Sequence, residues 1–354
     1  MTPPRPGTAE EIEVTELDRV DARAWDRFVT RHEDGNFCHL YGWKEVLKRT
    51  LGCEMLLRVA SQRDGEWAGI LPLARVRSRI FGHYLVSLPF LNYGGPLGTA
   101  AGCRHLSDWA VKEARNSGAD LLELRTRTDL EAGGELQRND RKVTVLLPLP
   151  DSAKQLFENG FPGKLRSQIR RPLKEGMEVR FGPDQIGAFY SVFSRNMRDL
   201  GTPVLPRSLF DAIGRIFSEE AVFGTVYHQG RAVAAGAGFL YKGEFEMTWA
   251  SSLREYNRLS PNMLLYWGFM EEMIGRRATA FNFGRCTPGG GTHKFKRQWG
   301  GEDVTLPWLQ WSPNGADSTP SPDRPAYRAA VSAWQRLPMA VANRMGPFLA
   351  RRIP

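Results

Sequence analysis

Cysteine is scarce: Cys38, Cys53, Cys103 and Cys286 are scattered over 354 residues with no C-x-x-C pair. That argues against a disulfide framework and against a zinc site. Cys38 beside His39, and Cys286 with His293, are too few and too badly spaced for metal ligation, so no metal is expected. Long apolar runs are also missing. No stretch reaches the roughly 18 apolar residues of a membrane-crossing helix, and the opening MTPPRPGTAEEIEV lacks the apolar core of a secretory signal. A cytoplasmic location is the expectation, with attachment to the inner membrane surface left open by the tail described below. Phosphate loops fail too: Gly284 and Gly289 have P-loop spacing, but Gly290 follows where lysine is needed. The run Gly289 to Gly291 lacks the third glycine of a dinucleotide fingerprint, and no nucleophile elbow marks a Ser, His and Asp set. Acids are outnumbered, 39 against 48 lysines and arginines, for a net charge of +9. Such a balance favours a polyanionic partner: tRNA or other RNA, anionic lipid, or a phosphorylated substrate.

What is present is a repeated pattern. LLRVASQRDGEWAGILPLARV (56–76) alternates, turns at Asp64-Gly65 and alternates again. FGTVYHQGRAVAAGAGFLYKG (223–243) does the same around Gln229-Gly230. Each reads as a β-hairpin preceded by two helical segments and followed by strand, helix and strand. Two copies of one α+β unit are therefore expected, the first over 11–150 and the second over 151–311, with the boundary near Leu147–Ser152 where prolines end the last strand of the first half. Residues 1–10 are expected to be disordered. Residues 312–326 read as a Pro/Ser-rich linker. Residues 327–354 read as a basic amphipathic helical tail, with no acid after Asp323 and with Trp334, Leu337, Val341, Met345 and Phe348 at helical spacing.

Three stretches carry candidate chemistry. On the helix FPGKLRSQIRRPLKEG, Arg166 and Arg170 share one face, which suits phosphate oxygens, with a solvated basic face as the alternative. At the junction before the apolar helix PNMLLYWGFMEEM, Pro261 takes a favoured first helical position and Ser260 is the expected N-cap. The turn Asn92-Tyr93-Gly94-Gly95-Pro96 would bring Tyr93 to a cleft wall.

Taken together these stretches resemble the Fem family of double-GNAT (acyl-CoA N-acyltransferase) enzymes of peptidoglycan cross-bridge synthesis and the wider FemAB-like group. GNFCHLYGWKEVLK is similar to its opening Phe-x-Gln-x-x-x-Trp pattern, with His39 for glutamine and Trp43 conforming. NYGGP, KLRSQIRRPLKEGMEV, SPNMLLYWGFME and FNFGR…HKFKRQWGG resemble its later motifs, with Asn282 where the family has aspartate. Arg198 to Pro206 (RDLGTPVLP) and the Leu-Pro-containing tail resemble the FemAB proteins associated with exosortase and exopolysaccharide (PEP-CTERM) systems. The resemblance implies tandem GNAT-like domains and direct acyl transfer to an amine or hydroxyl of a phosphorylated or nucleotide-linked envelope precursor. The donor would be acyl-CoA or aminoacyl-tRNA, with no tightly bound cofactor. It implies that Lys296 stabilises the oxyanion beside Phe295; it assigns no general base, which leaves proton removal to Glu246, Tyr256, His293 or the substrate. Substrate contacts are expected from His39, Trp43, Lys48, Tyr93, Arg166 and Arg170, and further from Arg198, Trp249, Asn282 and Arg285. The donor is expected at Leu259, Ser260, Asn262 and Met263. The competing class is a non-catalytic RNA-binding or scaffold protein on the same fold.

Overall fold

The computed structural model describes residues 12–16, 21–78, 82–130, 134–315 and 325–352. The expected disordered N-terminus and most of the expected linker lie outside these residues. The first part of the chain runs β1 (Glu13–Glu16), α1 (Ala22–Arg31), a 3-10 turn (Phe37–His39), α2 (Gly42–Leu51), β2 (Glu54–Ser61), β3 (Trp67–Ser78), β4 (Gly82–Val86), β5 (Leu97–Gly98), α3 (Ala100–Asn116), β6 (Leu121–Leu124), β7 (Gln137–Asn139) and β8 (Val143–Pro148). It continues through α4 (Ala153–Gln155), which runs into a π turn (Leu156–Gly160), then α5 (Gly163–Lys174), β9 (Glu178–Phe181), α6 (Ile186–Leu200), α7 (Arg207–Ile216), β10 (Ala221–His228), β11 (Arg231–Tyr241), β12 (Glu244–Ser252) and α8 (Pro261–Gly275). It ends with β13 (Ala280–Cys286), α9 (Gly291–Arg297), β14 (Glu302–Thr305), β15 (Trp308–Trp311), α10 (Pro325–Gln335) and α11 (Met339–Ala350).

Both expected hairpins form. In the second, Gln229 and Gly230 take φ of +50° and +76°, the two positive angles that a tight turn between twisted strands requires. Asp21 caps α1 by accepting from the Arg23 N–H at 2.9 Å, and Thr99 caps α3 by accepting from the Gly102 N–H at 3.1 Å.

The strands assemble into two sheets, ordered β1-β2-β3-β4-β6-β15-β7, with β5 on β3, and β9-β10-β11-β12-β13-β8-β14. Laid side by side the two orders match strand for strand. Each has one parallel pair, β4 with β6 and β12 with β13, flanked by antiparallel neighbours. The duplication is therefore real at the level of topology.

One feature departs from the sequence reading. β8, taken as the last strand of the first half, pairs with β13 and β14 in the second sheet. β15, from the end of the second half, pairs with β6 and β7 in the first. The halves exchange their penultimate strands. Prolines at 148 and 150 do end β8, but a chain break in pairing is not a break between sheets.

The core follows the exchange. One hydrophobic cluster joins Trp25, Trp43 and Val59 of the first half to Phe189, Phe210 and Phe239 of the second, so the seam between the units is itself packed interior. Phe37 stacks on Phe239 with ring centroids 4.3 Å apart, and Trp43 lies 4.8 Å from Phe217. α10 and α11 lie against α6, outside both sheets.

Candidate functional site

Parallel pairing between β12 and β13 lasts three residues, from Glu244–Ala280 to Glu246–Asn282, and then stops. Two irregularities accompany the break. β12 carries an extra residue opposite Ala237–Gly238, and β13 bulges against β8 between Asn282 and Arg285. Gly284 sits in that bulge at φ +72°, where a Cβ would come within 2.8 Å of the Met247 carbonyl oxygen, so both the turn and the close approach require glycine.

Side chains at i and i+2 of a strand share a face, which sends Glu244, Glu246 and Thr248 to one side of β12. There they meet the first unit. Asn92 donates from Nδ2 to Glu246 Oε1 at 2.8 Å, and the Arg127 guanidinium pairs with Glu244. Asn282 Nδ2 donates to Tyr93 Oη at 3.0 Å and to Glu244 Oε1 at 2.9 Å. Its Oδ1 accepts from the Gly284 N–H at 2.9 Å and from the Thr144 hydroxyl on the exchanged strand β8. This explains the amide at 282. An aspartate could accept the last two bonds but would set a second carboxylate against Glu244.

Glu246 is 1% exposed, and its Oε2 is buried without a hydrogen-bond partner. Burial, reinforced by the neighbouring Glu244 charge, raises its carboxyl to about 7. Lys296, 5% exposed, donates from Nζ to the carbonyl oxygens of Gly284 at 2.6 Å and Arg285 at 3.0 Å. Burial lowers its ammonium to about 8. Two bonds leave the third N–H of the ammonium free of backbone acceptors. A cleft of about 240 Å³ opens at the seam, lined by Glu244, Glu246, Tyr93 and Arg127 and bounded by Asp34 and Lys242. A carboxylate near neutrality with a bare oxygen and a buried ammonium within its field are suited to moving a proton and holding an oxyanion.

The other expected residues divide. Tyr93, Asn282 and Glu246 come together at the seam, and Lys296 joins them through the Gly284 carbonyl, whose own N–H donates to Asn282. Phe295 packs its ring 5.0 Å from Tyr266, and with Lys296 it lies on the short helix α9. Arg285 and Arg125 both lie over the Trp308 ring, at 4.8 and 4.9 Å. Burial and the Arg125 charge pull Arg285 down to about 10. His293 has both nitrogens engaged: Nδ1 accepts from the Gly289 N–H at 3.1 Å and Nε2 faces Asp303 at 2.9 Å, so it fastens the glycine turn to β14. His39 is likewise occupied, Nε2 on the Gly95 carbonyl at 3.1 Å and Nδ1 facing the Asn36 N–H, and burial drops it to about 4. Trp43 is core, donating from Nε1 to the Phe37 carbonyl. Trp249 is half-buried against Phe210. Lys48 is exposed on α2. Arg198 bonds Asp199 and the Leu337 carbonyl, tying α6 to the tail. Arg166 holds the Glu158 carbonyl at 2.5 Å, while Arg170 lies over Phe157 beside a separate groove of α5.

At the expected donor position Ser260 precedes α8 but takes φ +59° and makes no capping bond. Leu259 is half-buried, Asn262 has a buried Oδ1 without a partner, and Met263 is buried with its sulfur 4.0 Å from Gln298 Nε2. Among the described residues no His/Cys/Asp/Glu group could hold a metal. No sequence motif marks Arg127, Glu244 or Asn92 as site residues. The alternating Glu-Phe-Glu at 244–246, polar on one face of an otherwise apolar strand, was the signal for one of them.

Residues 163–297 match the family described as Acetyltransferase (GNAT) domain, and carry a GNAT acyltransferase domain. No curated protein is similar enough in sequence to match. Among solved structures, the chain is similar to FemX at 15% identity and a TM-score of 0.63, covering 85% of this chain and 98% of that one. It is similar to a C-terminal DUF2156 domain from Agrobacterium fabrum assigned to a lysylphosphatidylglycerol synthetase, at 15% identity and TM-score 0.58, covering 84% and 92%. It is also similar to a tandem GNAT protein from the clavulanic acid biosynthesis pathway, at 14% identity and TM-score 0.55, covering 88% and 100%. These likenesses establish the tandem GNAT fold.

Proposed function

We propose that the protein is a FemAB-like acyltransferase that moves an acyl or aminoacyl group directly onto an amine of a cell-envelope precursor, in the manner of the peptidoglycan or exopolysaccharide systems its motifs resemble. The observation that carries this reading is the bare, buried Oε2 of Glu246 at the seam cleft, with the Lys296 ammonium in its field. The acceptor nitrogen attacks the carbonyl carbon of the donor ester or thioester, forming the C–N bond. The oxygen that gains charge is held by the remaining Lys296 N–H, and the ammonium proton passes to Glu246. Collapse breaks the bond to the donor's sulfur or ribose oxygen, which leaves carrying the proton that Glu246 returns. Acyl-CoA or aminoacyl-tRNA fits this chemistry; the donor carrier would lie toward α8, whose first turn Ser260 leaves without a side-chain cap.

The test is transfer by the purified protein in the presence of an envelope-precursor extract, read as loss of the acyl group from acyl-CoA or aminoacyl-tRNA and as product mass. Lys296→Met and Glu246→Gln should each lower turnover ~100-fold, the scale for losing one oxyanion donor or one general base. Full turnover in either variant would remove that residue from the mechanism. Absence of product from both donors, together with salt-dependent binding of uncharged RNA, would favour the scaffold reading instead.

A further inference from the structure

α11 is held to the body by one side only. Ala342, Gly346 and Ala350 are buried, and at four-residue spacing they form a single small-residue stripe. A Cβ on Gly346 would stand 2.9 Å from the Val204 backbone nitrogen, so the helix is seated as closely as its backbone permits. Arg198 Nη1 on the Leu337 carbonyl and Gln335 Nε2 on the Asp199 carbonyl, at 3.0 and 3.1 Å, fix the bend that leads into it. At 100° per residue the face opposite the stripe is occupied by Val341, Met345 and Phe348. They are 37%, 48% and 48% exposed, three of the five large hydrophobic side chains exposed among the described residues. Arg344 and Arg351 share that face, and the guanidiniums of Arg351 and Arg352 lie 4.4 and 4.1 Å from the Phe348 ring. No acidic residue follows Asp323.

We infer that the outer face of α11 docks the protein on an anionic phospholipid surface, with Phe348, Met345 and Val341 entering the headgroup boundary and the arginines meeting lipid phosphates. The combination selects the occupant. A second copy of the tail would set arginines against arginines. A rim of arginine alone around apolar side chains is the pattern of a helix lying in a membrane interface.

The full-length protein is floated with vesicles of phosphatidylcholine alone, or with a third phosphatidylglycerol, at several salt concentrations. Binding is expected only to the anionic vesicles and should weaken as salt rises. Replacing Arg344 or Arg351 by glutamine should weaken it about fivefold each, the share of one cation at such a surface. Met345→Asp with Phe348→Asp should abolish it, while an unchanged thermal melt confirms that these exposed positions do not hold the fold. No retention on anionic vesicles overturns the proposal, as does retention unaffected by the aspartates, or tRNA binding in place of vesicle binding. Acyl transfer in solution is a separate readout, so loss of lipid binding with turnover intact leaves the acyltransferase reading standing.

Discussion

Glu246 keeps its ionised form at the expense of stability. Its folded value of about 7 lies above the 4.5 of an unperturbed glutamate, so the stability it contributes is complete below pH 4.5 and is lost as pH rises through 7. The loss is on the order of 3 kcal/mol. Glu246→Gln should therefore raise the melting temperature more at pH 8 than at pH 5, measured by calorimetry at both. In the proposed transfer, Glu246 and Lys296 together set the pH profile. Glu246 must be deprotonated and Lys296 protonated, so turnover should climb through about 7 and fall through about 8, and Lys296→Met should erase the falling limb. Much of this centre was legible in the sequence. Lys296, Tyr93 and Asn282 stood in recognisable motifs, and Glu246 was marked as a candidate base. Arg127 and Asn92 were not legible as site residues, because their partners Glu244 and Glu246 lie more than a hundred positions away and only the seam brings them together. His39 and His293 looked like chemistry. Each instead spends both ring nitrogens on holding a turn.

Among the elements, the break in β13 is where geometry and chemistry meet. Gly284→Ala would place a side chain at φ +72° and against the Met247 carbonyl, and should destabilise the fold by about 1–3 kcal/mol in urea melts. Because the Gly284 carbonyl accepts from Lys296 and its N–H donates to Asn282, the same change should lower turnover beyond what unfolding explains. A variant that retains full turnover in its folded fraction would dissociate the bulge from the site. The hairpins, α3, α8 and the helical tail were all readable, since alternation, turn residues and helical spacing are local signals. β8 and β15 were not assignable to a sheet. Their own residues, VTVLLP and WLQW, favour a strand equally well in either position, and the choice is made by partners in the other half.

At the scale of the molecule, the reciprocal exchange of β8 and β15 makes each half incomplete alone. Residues 151–354 lack the strand that lies between β13 and β14, and residues 1–150 lack the one between β6 and β7. Neither piece should show a cooperative melt when expressed by itself, whereas the whole chain should unfold in one transition; two separate transitions of the full chain would contradict the shared core. The exchange also imposes an order on biosynthesis. The ribosome delivers β6 long before β15, and at ordinary elongation speeds the interval between them is roughly 10–40 s. Throughout that interval the Leu121–Leu124 edge is an open template beside a nascent chain, held without its mate. A holdase that recognises exposed strand edges would meet this protein during translation rather than after release, and stalling the ribosome between 150 and 300 should yield a nascent chain that such a chaperone retains.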